Sequence, residues 1–149
     1  MKEYKSNLPQ ITLQLRKGYA LKAKIGCSAD ADEVFRKIWD VDSLPIYESF
    51  IALYLNRANN TTGWLKVSQG GTVGTVVDIK MILTAAINSL ACSVIVAHNH
   101  PSGNTNPSDA DIKLTTKLRD ACKLLDITLL DSMILTEDSY KSFADEGLL

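Results

Sequence analysis

Apolar and polar positions follow two different periods along this chain, and the switches between them mark out its elements. Ile11 to Leu15 alternates apolar with polar, the pattern of a half-buried strand. From Ser28 to Leu44 (SADADEVFRKIWDVDSL) the spacing is helical, with Val34, Phe35, Ile38 and Trp39 on one face. Ser28 or Asp30 is placed to cap that helix, and Pro45 stops it. Residues 49–56 (SFIALYLN) are apolar on both faces, which suits a strand inside a sheet. A polar turn at Asn59–Asn60 leads to a second strand, Trp64 to Ser68, and so to a hairpin. Gly70, Gly71 and Gly74 mark a loop with unusual backbone angles, although neither GxGxxG nor GxxxxGK(S/T) is present to make it a phosphate loop.

The second half continues the alternation. Asp78 to Leu90 predicts a helix with Ile79, Ile82, Leu83, Ala86 and Leu90 turned inward. CSVIVA predicts a short buried strand that runs straight into HNHPSG. A polar loop from Ser102 to Pro107 precedes a long helix from Ser108 to Leu125. Ile127 to Asp131 and Met133 to Thr136 read as two short strands, followed by a short terminal helix from Asp138. Strands and helices alternate with no repeat or internal linker, so one layered α/β domain is the economical arrangement.

Composition narrows the class of partner. The net charge of −1 supplies no basic excess, which argues against nucleic acid or an anionic membrane as the main partner. Three cysteines (Cys27, Cys92, Cys122) form an odd set without a CxxC pair, so a disulfide framework is not expected. Cys92 and Cys122 lie in apolar stretches and are expected to be buried thiols. The polar N-terminus lacks the apolar core of a signal peptide, and no apolar run approaches the ~18 residues of a membrane span. A soluble, cytoplasmic protein is the expectation.

The chemistry concentrates in AHNHPSGNTNPSDAD, residues 97–111. His98 and His100, the chain's two histidines, are one residue apart at the end of an apolar strand, so both imidazoles can turn to the same side while Asn99 turns away. Pro101 ends the strand. Ser108 and Asp111 form an S-x-x-D capping-box variant at the start of the long helix. Asp111 also heads that helix's inward stripe, continued by Thr115, Leu118, Cys122 and Leu125. A carboxylate there needs a compensating partner, and a cation beside two imidazoles would supply one. Two histidines and one carboxylate leave a fourth tetrahedral position for water, as in catalytic zinc sites, although the same set also suits ferrous iron.

HNHPSGNTNPSDAD resembles the JAMM signature H-x-H-x7-S-x2-D of the JAB/MPN metallopeptidase superfamily, and its HNHPSG form resembles the RadC-like branch. The likeness runs from about Glu48 to the C-terminus, through ESFIALYLN, VSQGGTV and ITLLDSMIL. It implies a three-layer α/β/α sandwich with a mixed central sheet, related in layout to the cytidine deaminases. With the strand and helix read over residues 1–47 and the RadC-like core over 48–149, the expectation is a single domain spanning residues 1–149. One zinc ion would be held by His98, His100 and Asp111. The resemblance further implies that Glu48 is the general base acting on the water and that Ser108 helps hold the oxyanion. Two departures stand out: Ser132 occupies a place where this branch usually has His, and the 47 residues before Glu48 contain no convincing Gly-x-Gly hairpin of the helix-hairpin-helix type.

The resulting expectation is a zinc metallopeptidase or isopeptidase that hydrolyses an amide bond in a peptide or isopeptide substrate. The alternative is a non-catalytic MPN-like interaction module linked to DNA repair. A literal HNH nuclease lacks the basic surface it would need, and a zinc deaminase lacks H-x-E…P-C-x-x-C. Since His100 leaves its strand where Glu48 enters its own, the two strands must run in opposite directions, or the chain must bend before Glu48.

Overall fold

The architecture comes from a computed structural model that describes residues 22–71 and 76–149, together with Pro9. The expected strand at Ile11 to Leu15 and Gly74 lie outside the described residues. Elements follow the order α1 (Ser28–Ile38), a 3₁₀ turn (Val41–Ser43), β1 (Ser49–Leu55), β2 (Thr61–Gln69), α2 (Ile79–Asn88), β3 (Ser93–Asn99), α3 (Asp109–Leu124), β4 (Thr128–Leu135) and β5 (Tyr140–Ser142). The sheet order is β2-β1-β3-β4-β5. β3 and β4 are parallel and the other pairs antiparallel, so the sheet is mixed as expected.

Strand pleating divides the core into two layers. Ile51, Leu53, Leu55, Ile95 and Ala97 face α1 and pack on Ala31, Phe35 and Trp39. Their neighbours Phe50, Ala52, Tyr54, Val94 and Val96 face the other way, onto Ile82 and Ala86 of α2 and Leu118 and Cys122 of α3. β1 and β3, each buried along its whole length, are therefore apolar on both faces, as strands sandwiched between helices must be. Helices on both faces give the three-layer α/β/α arrangement.

Several local expectations are corrected. The α1 N-cap position is Cys27, while Asp30, one turn inside, accepts the amides of Gly26 (2.8 Å) and Cys27 (3.2 Å). The two short strands after Ile127 are a single strand, β4, with a bulge: Val94 pairs with Leu129 and Ile95 with Asp131, leaving Leu130 extra. The bulge shifts the alternation by one, so Leu129 faces α3 while Met133 and Leu135 face α1. Ser132, which seemed to break the run, is buried and hydrogen-bonded to Thr115 Oγ1 at 3.0 Å, tying α3 to β4. No helix starts at Asp138, because residues 140–142 pair with β4 and Ser142 Oγ donates to the buried Asp131 carboxylate at 2.5 Å. Cys122 is buried but Cys92 is exposed: its backbone bonds to Leu55 and Thr128 while its side chain lies just ahead of β3. Gly71 does not adopt a left-handed φ.

Leu90 was expected to face inward and is instead 78% exposed, with φ of 53°. It closes α2 where the Ala91 N–H reaches back to the Ala86 carbonyl, a position glycine usually fills; Asp126 closes α3 in the same way. Leu125 also lies past the inward stripe and is 42% exposed. A left-handed non-glycine residue costs roughly 1–2 kcal/mol. Leu90→Gly is thus expected to add up to about 1 kcal/mol of stability, read as a higher urea midpoint and partly offset by greater freedom of the unfolded chain. A lower midpoint would show that the exposed leucine makes contacts that outweigh the strain.

Candidate metal centre

β1 and β3 run antiparallel, with Phe50 directly opposite His98. On that register His98 shares the α3-facing side with Val94 and Val96, and its ring stacks on Phe50 with centroids 6.1 Å apart and planes 6° from parallel. His100 lies one residue beyond the strand, yet its N–H continues the ladder to the Leu135 carbonyl at 2.9 Å. The chain then turns sharply. Gly103 N–H bonds to the His100 carbonyl at 3.0 Å, Pro101 is in the second turn position it favours, and Gly103 takes φ of 83°. The HPSG sequence is the chemistry of that turn.

Asp111 arrives from α3. Ser108 caps the helix, its Oγ accepting the Asp111 N–H at 3.1 Å while Asp111 Oδ2 accepts the Ser108 N–H at 2.8 Å. The capping box and the inward stripe are both present, and together they aim one carboxylate at the two imidazoles. Asp111 Oδ1 lies 3.2 Å from His98 Nε2 and Oδ2 lies 3.3 Å from His100 Nε2. The two Nε2 atoms are 3.0 Å apart. Tetrahedral zinc with bonds of ~2.0–2.2 Å holds its donors about 3.3–3.5 Å apart, so slight spreading of these groups would admit an ion. Among the described residues, His98, His100 and Asp111 are the cluster that could hold a metal.

The surroundings prepare the donors. His100 Nδ1 is 2.6 Å from the Asn104 carbonyl, so it carries the proton and leaves Nε2 with its lone pair toward the cluster. Without a metal, the hydrogen bond to Asp111 raises the His100 pKa against the opposing effect of burial, helped by the Asn104 carbonyl and the charges of Asp111 and Glu48. Burial disfavours the Asp111 carboxylate. Hydrogen bonds from His100 and His98, the charge of His98 and the Ser108 amide outweigh it and hold that pKa well below the carboxylate range.

Glu48, half-buried just ahead of β1, lines a cavity of about 220 Å³ together with His98, Asp111, Phe50, Val77, Ala110 and Leu114. The structure thus brings Glu48 and the three ligand candidates to one place. Ser108 is adjacent but exposed, and it is not among the residues lining the cavity. Ser132 is not part of the cluster; it bonds to Thr115, one helical turn after Asp111. Asn99 is a residue whose contribution its sequence neighbours obscured; its buried side chain bonds to the segment that carries Glu48.

The profile of the RadC-like JAB domain family matches residues 25–148. The chain belongs to that family. The match includes α1, upstream of the Glu48 at which the motif-level likeness begins. A UPF0758 protein of Flavobacterium johnsoniae is 40% identical over 125 residues, covering 84% of this chain and 53% of the relative. UPF0758 proteins of Porphyromonas gingivalis (42% over 107 residues, 71% and 47% covered) and Aquifex aeolicus (43% over 102 residues, 68% and 44%) are also similar. The chain spans about half the length of these relatives.

The two pKa shifts give opposite pH slopes. Asp111, depressed, lends the metal-free fold stability that is present above ~4 and lost in acid; His100, raised, lends stability that is present below ~6.5 and lost as pH rises through its higher folded value. The metal needs neutral imidazoles, so its binding tightens over the range in which the metal-free fold weakens. Melting of the metal-free chain should therefore fall as pH rises above ~6.5, and His100→Ala should flatten that slope. A slope that His100→Ala leaves unchanged would assign the effect elsewhere.

Proposed function

We propose that this RadC-like JAB domain is a zinc-dependent hydrolase that cleaves an amide bond in a peptide or isopeptide. The observation that carries the proposal is the shared cavity, which sets a carboxylate outside the ligand set, Glu48, beside His98 and Asp111. Zinc held by His98, His100 and Asp111 would supply Lewis acidity toward a carbonyl oxygen and make water a better acid. The donor set also suits ferrous iron; zinc is preferred because hydrolysis asks for a redox-inert Lewis acid.

The chain's own residues then have separate tasks. Glu48 takes the proton from the attacking water and returns it to the departing nitrogen, a role worth ~10²–10⁴-fold in rate. Phe50 stacks on the His98 ring and the Asn104 carbonyl fixes the His100 tautomer, which limits the reorganisation needed at the moment of reaction. Ser108 Oγ accepts a helix amide and keeps its own O–H free to donate to the developing oxyanion. Phe50, Val77, Ala110 and Leu114 give the cavity apolar walls that limit water around the reacting atoms.

Glu48→Gln tests the proposal, because it keeps shape and hydrogen bonding but cannot take the proton. On a panel of peptides and isopeptides with a fluorogenic leaving amine, hydrolysis should fall by ~10²-fold or more while zinc content and melting temperature hold. An unchanged rate would remove Glu48 from the mechanism. A zinc-loaded parent that cleaves no member of the panel would favour an interaction module.

A further inference from the structure

Asn99 stands between the two histidines and is completely buried. The pleat of β3 turns it to the α1 side of the sheet, away from His98. Its Oδ1 accepts the Ser49 N–H at 2.7 Å, and its Nδ2 donates to the carbonyls of Leu44 at 2.9 Å and Tyr47 at 2.8 Å. Both amide hydrogens are therefore used, together with one acceptor site.

All three partners belong to one stretch, from the end of the 3₁₀ turn to the first residue of β1, and Glu48 lies within it. The Tyr47 carbonyl belongs to the peptide unit on the N-terminal side of Glu48, and the Ser49 N–H to the unit on its C-terminal side. Each unit is planar, so holding both leaves the Glu48 backbone little rotation about φ and ψ. On the side of β2, the Gly70 N–H bonds to the Glu48 carbonyl at 2.9 Å. The direction in which the Glu48 side chain leaves the backbone is thus set by the residue between the two histidine ligand candidates.

We propose that Asn99 is a positioning residue: by fixing both peptide planes that flank Glu48, it aims that carboxylate into the cavity shared with His98 and Asp111. The inference rests on the catalytic reading of Glu48. It explains why the backbone ahead of β1, which has not yet joined the ladder to β3, is tied to β3 through a side chain. The ligand pair and the base then move as one body, since a shift of β3 carries Asn99 and the Glu48 segment with it. A misplacement of ~1 Å at a reacting group can cost 10²-fold in rate, which is the scale of effect such a tether guards against.

Loading the full chain with cobalt(II) and labelling glutamate side-chain carboxyls with ¹³C gives a readout independent of turnover. The Glu48 resonance is identified by its loss in Glu48→Gln, and its paramagnetic broadening reports its distance from the metal. In the parent, Glu48 should be strongly broadened. In Asn99→Ala the chain should still bind one cobalt ion, with the broadening at Glu48 reduced several-fold. Asn99→Asp, which keeps the size and the acceptor for Ser49 but loses both hydrogen bonds donated to Leu44 and Tyr47, should show an intermediate loss and carries the test if the alanine variant does not fold. Broadening unchanged in the variants overturns the inference alone, as does a loss of cobalt binding that parallels the loss at Glu48. A parent in which cobalt leaves Glu48 untouched overturns the catalytic reading of Glu48, and this inference with it.

Discussion

The site depends on the uninterrupted pleat of one strand. From Ser93 to His98, β3 pairs with β1 without a bulge, so the side of every residue is fixed by parity. Val94 and Val96 point into the α2/α3 layer, and His98 must follow them. Ile95 and Ala97 point to α1, and Asn99 must follow those. A slip of one residue would exchange the two sets, bury an imidazole against α1 and leave the Glu48 segment without its tether. The apolar residues on both faces make that slip costly, and in this way hydrophobic burial determines where the polar chemistry lies.

On this frame the polar groups are mutually satisfied. Asp111 sits in the first turn of a helix, where the amide ends favour negative charge, and Ser108 fixes it there. Two imidazoles face its two oxygens, and the Asn104 carbonyl takes the outer proton of one of them. The hydrogen bond to Asp111 favours the protonated form of His100, and a cation held by the three groups would take that proton's place. The three donors already converge to within 3.0–3.3 Å of one another, so only slight spreading would be needed to admit an ion and little ordering cost would fall on binding.

Much of this was legible in the chain, because the decisive signals are short and local. His98 and His100 two apart after an apolar run, and Ser108 and Asp111 three apart at a helix start, specify direction through the periods of strand and helix alone. The bulge at Leu130 could not be read that way: Ser132 is a polar residue in an apolar run, held in the strand by its backbone pairing with Val96 while Thr115, 17 residues away, satisfies its side chain. Tyr140–Ser142 became a strand for a similar reason, through pairing with β4. Leu90 breaks the helical pattern by adopting a backbone angle that leucine rarely takes. Asn99 is the instructive case, since its position in the motif was visible while its partners, 50 to 55 residues earlier, were not.

The most direct test of the account is a crystal structure of the zinc-loaded chain, with anomalous scattering recorded on both sides of the zinc absorption edge. The account predicts one zinc peak per chain, bonded at ~2.0–2.2 Å to His98 Nε2, His100 Nε2 and an Asp111 oxygen, with a fourth position open toward Glu48. A peak bonded through Nδ1, a closed fourth position filled by a protein ligand, or no zinc at the cluster would contradict it.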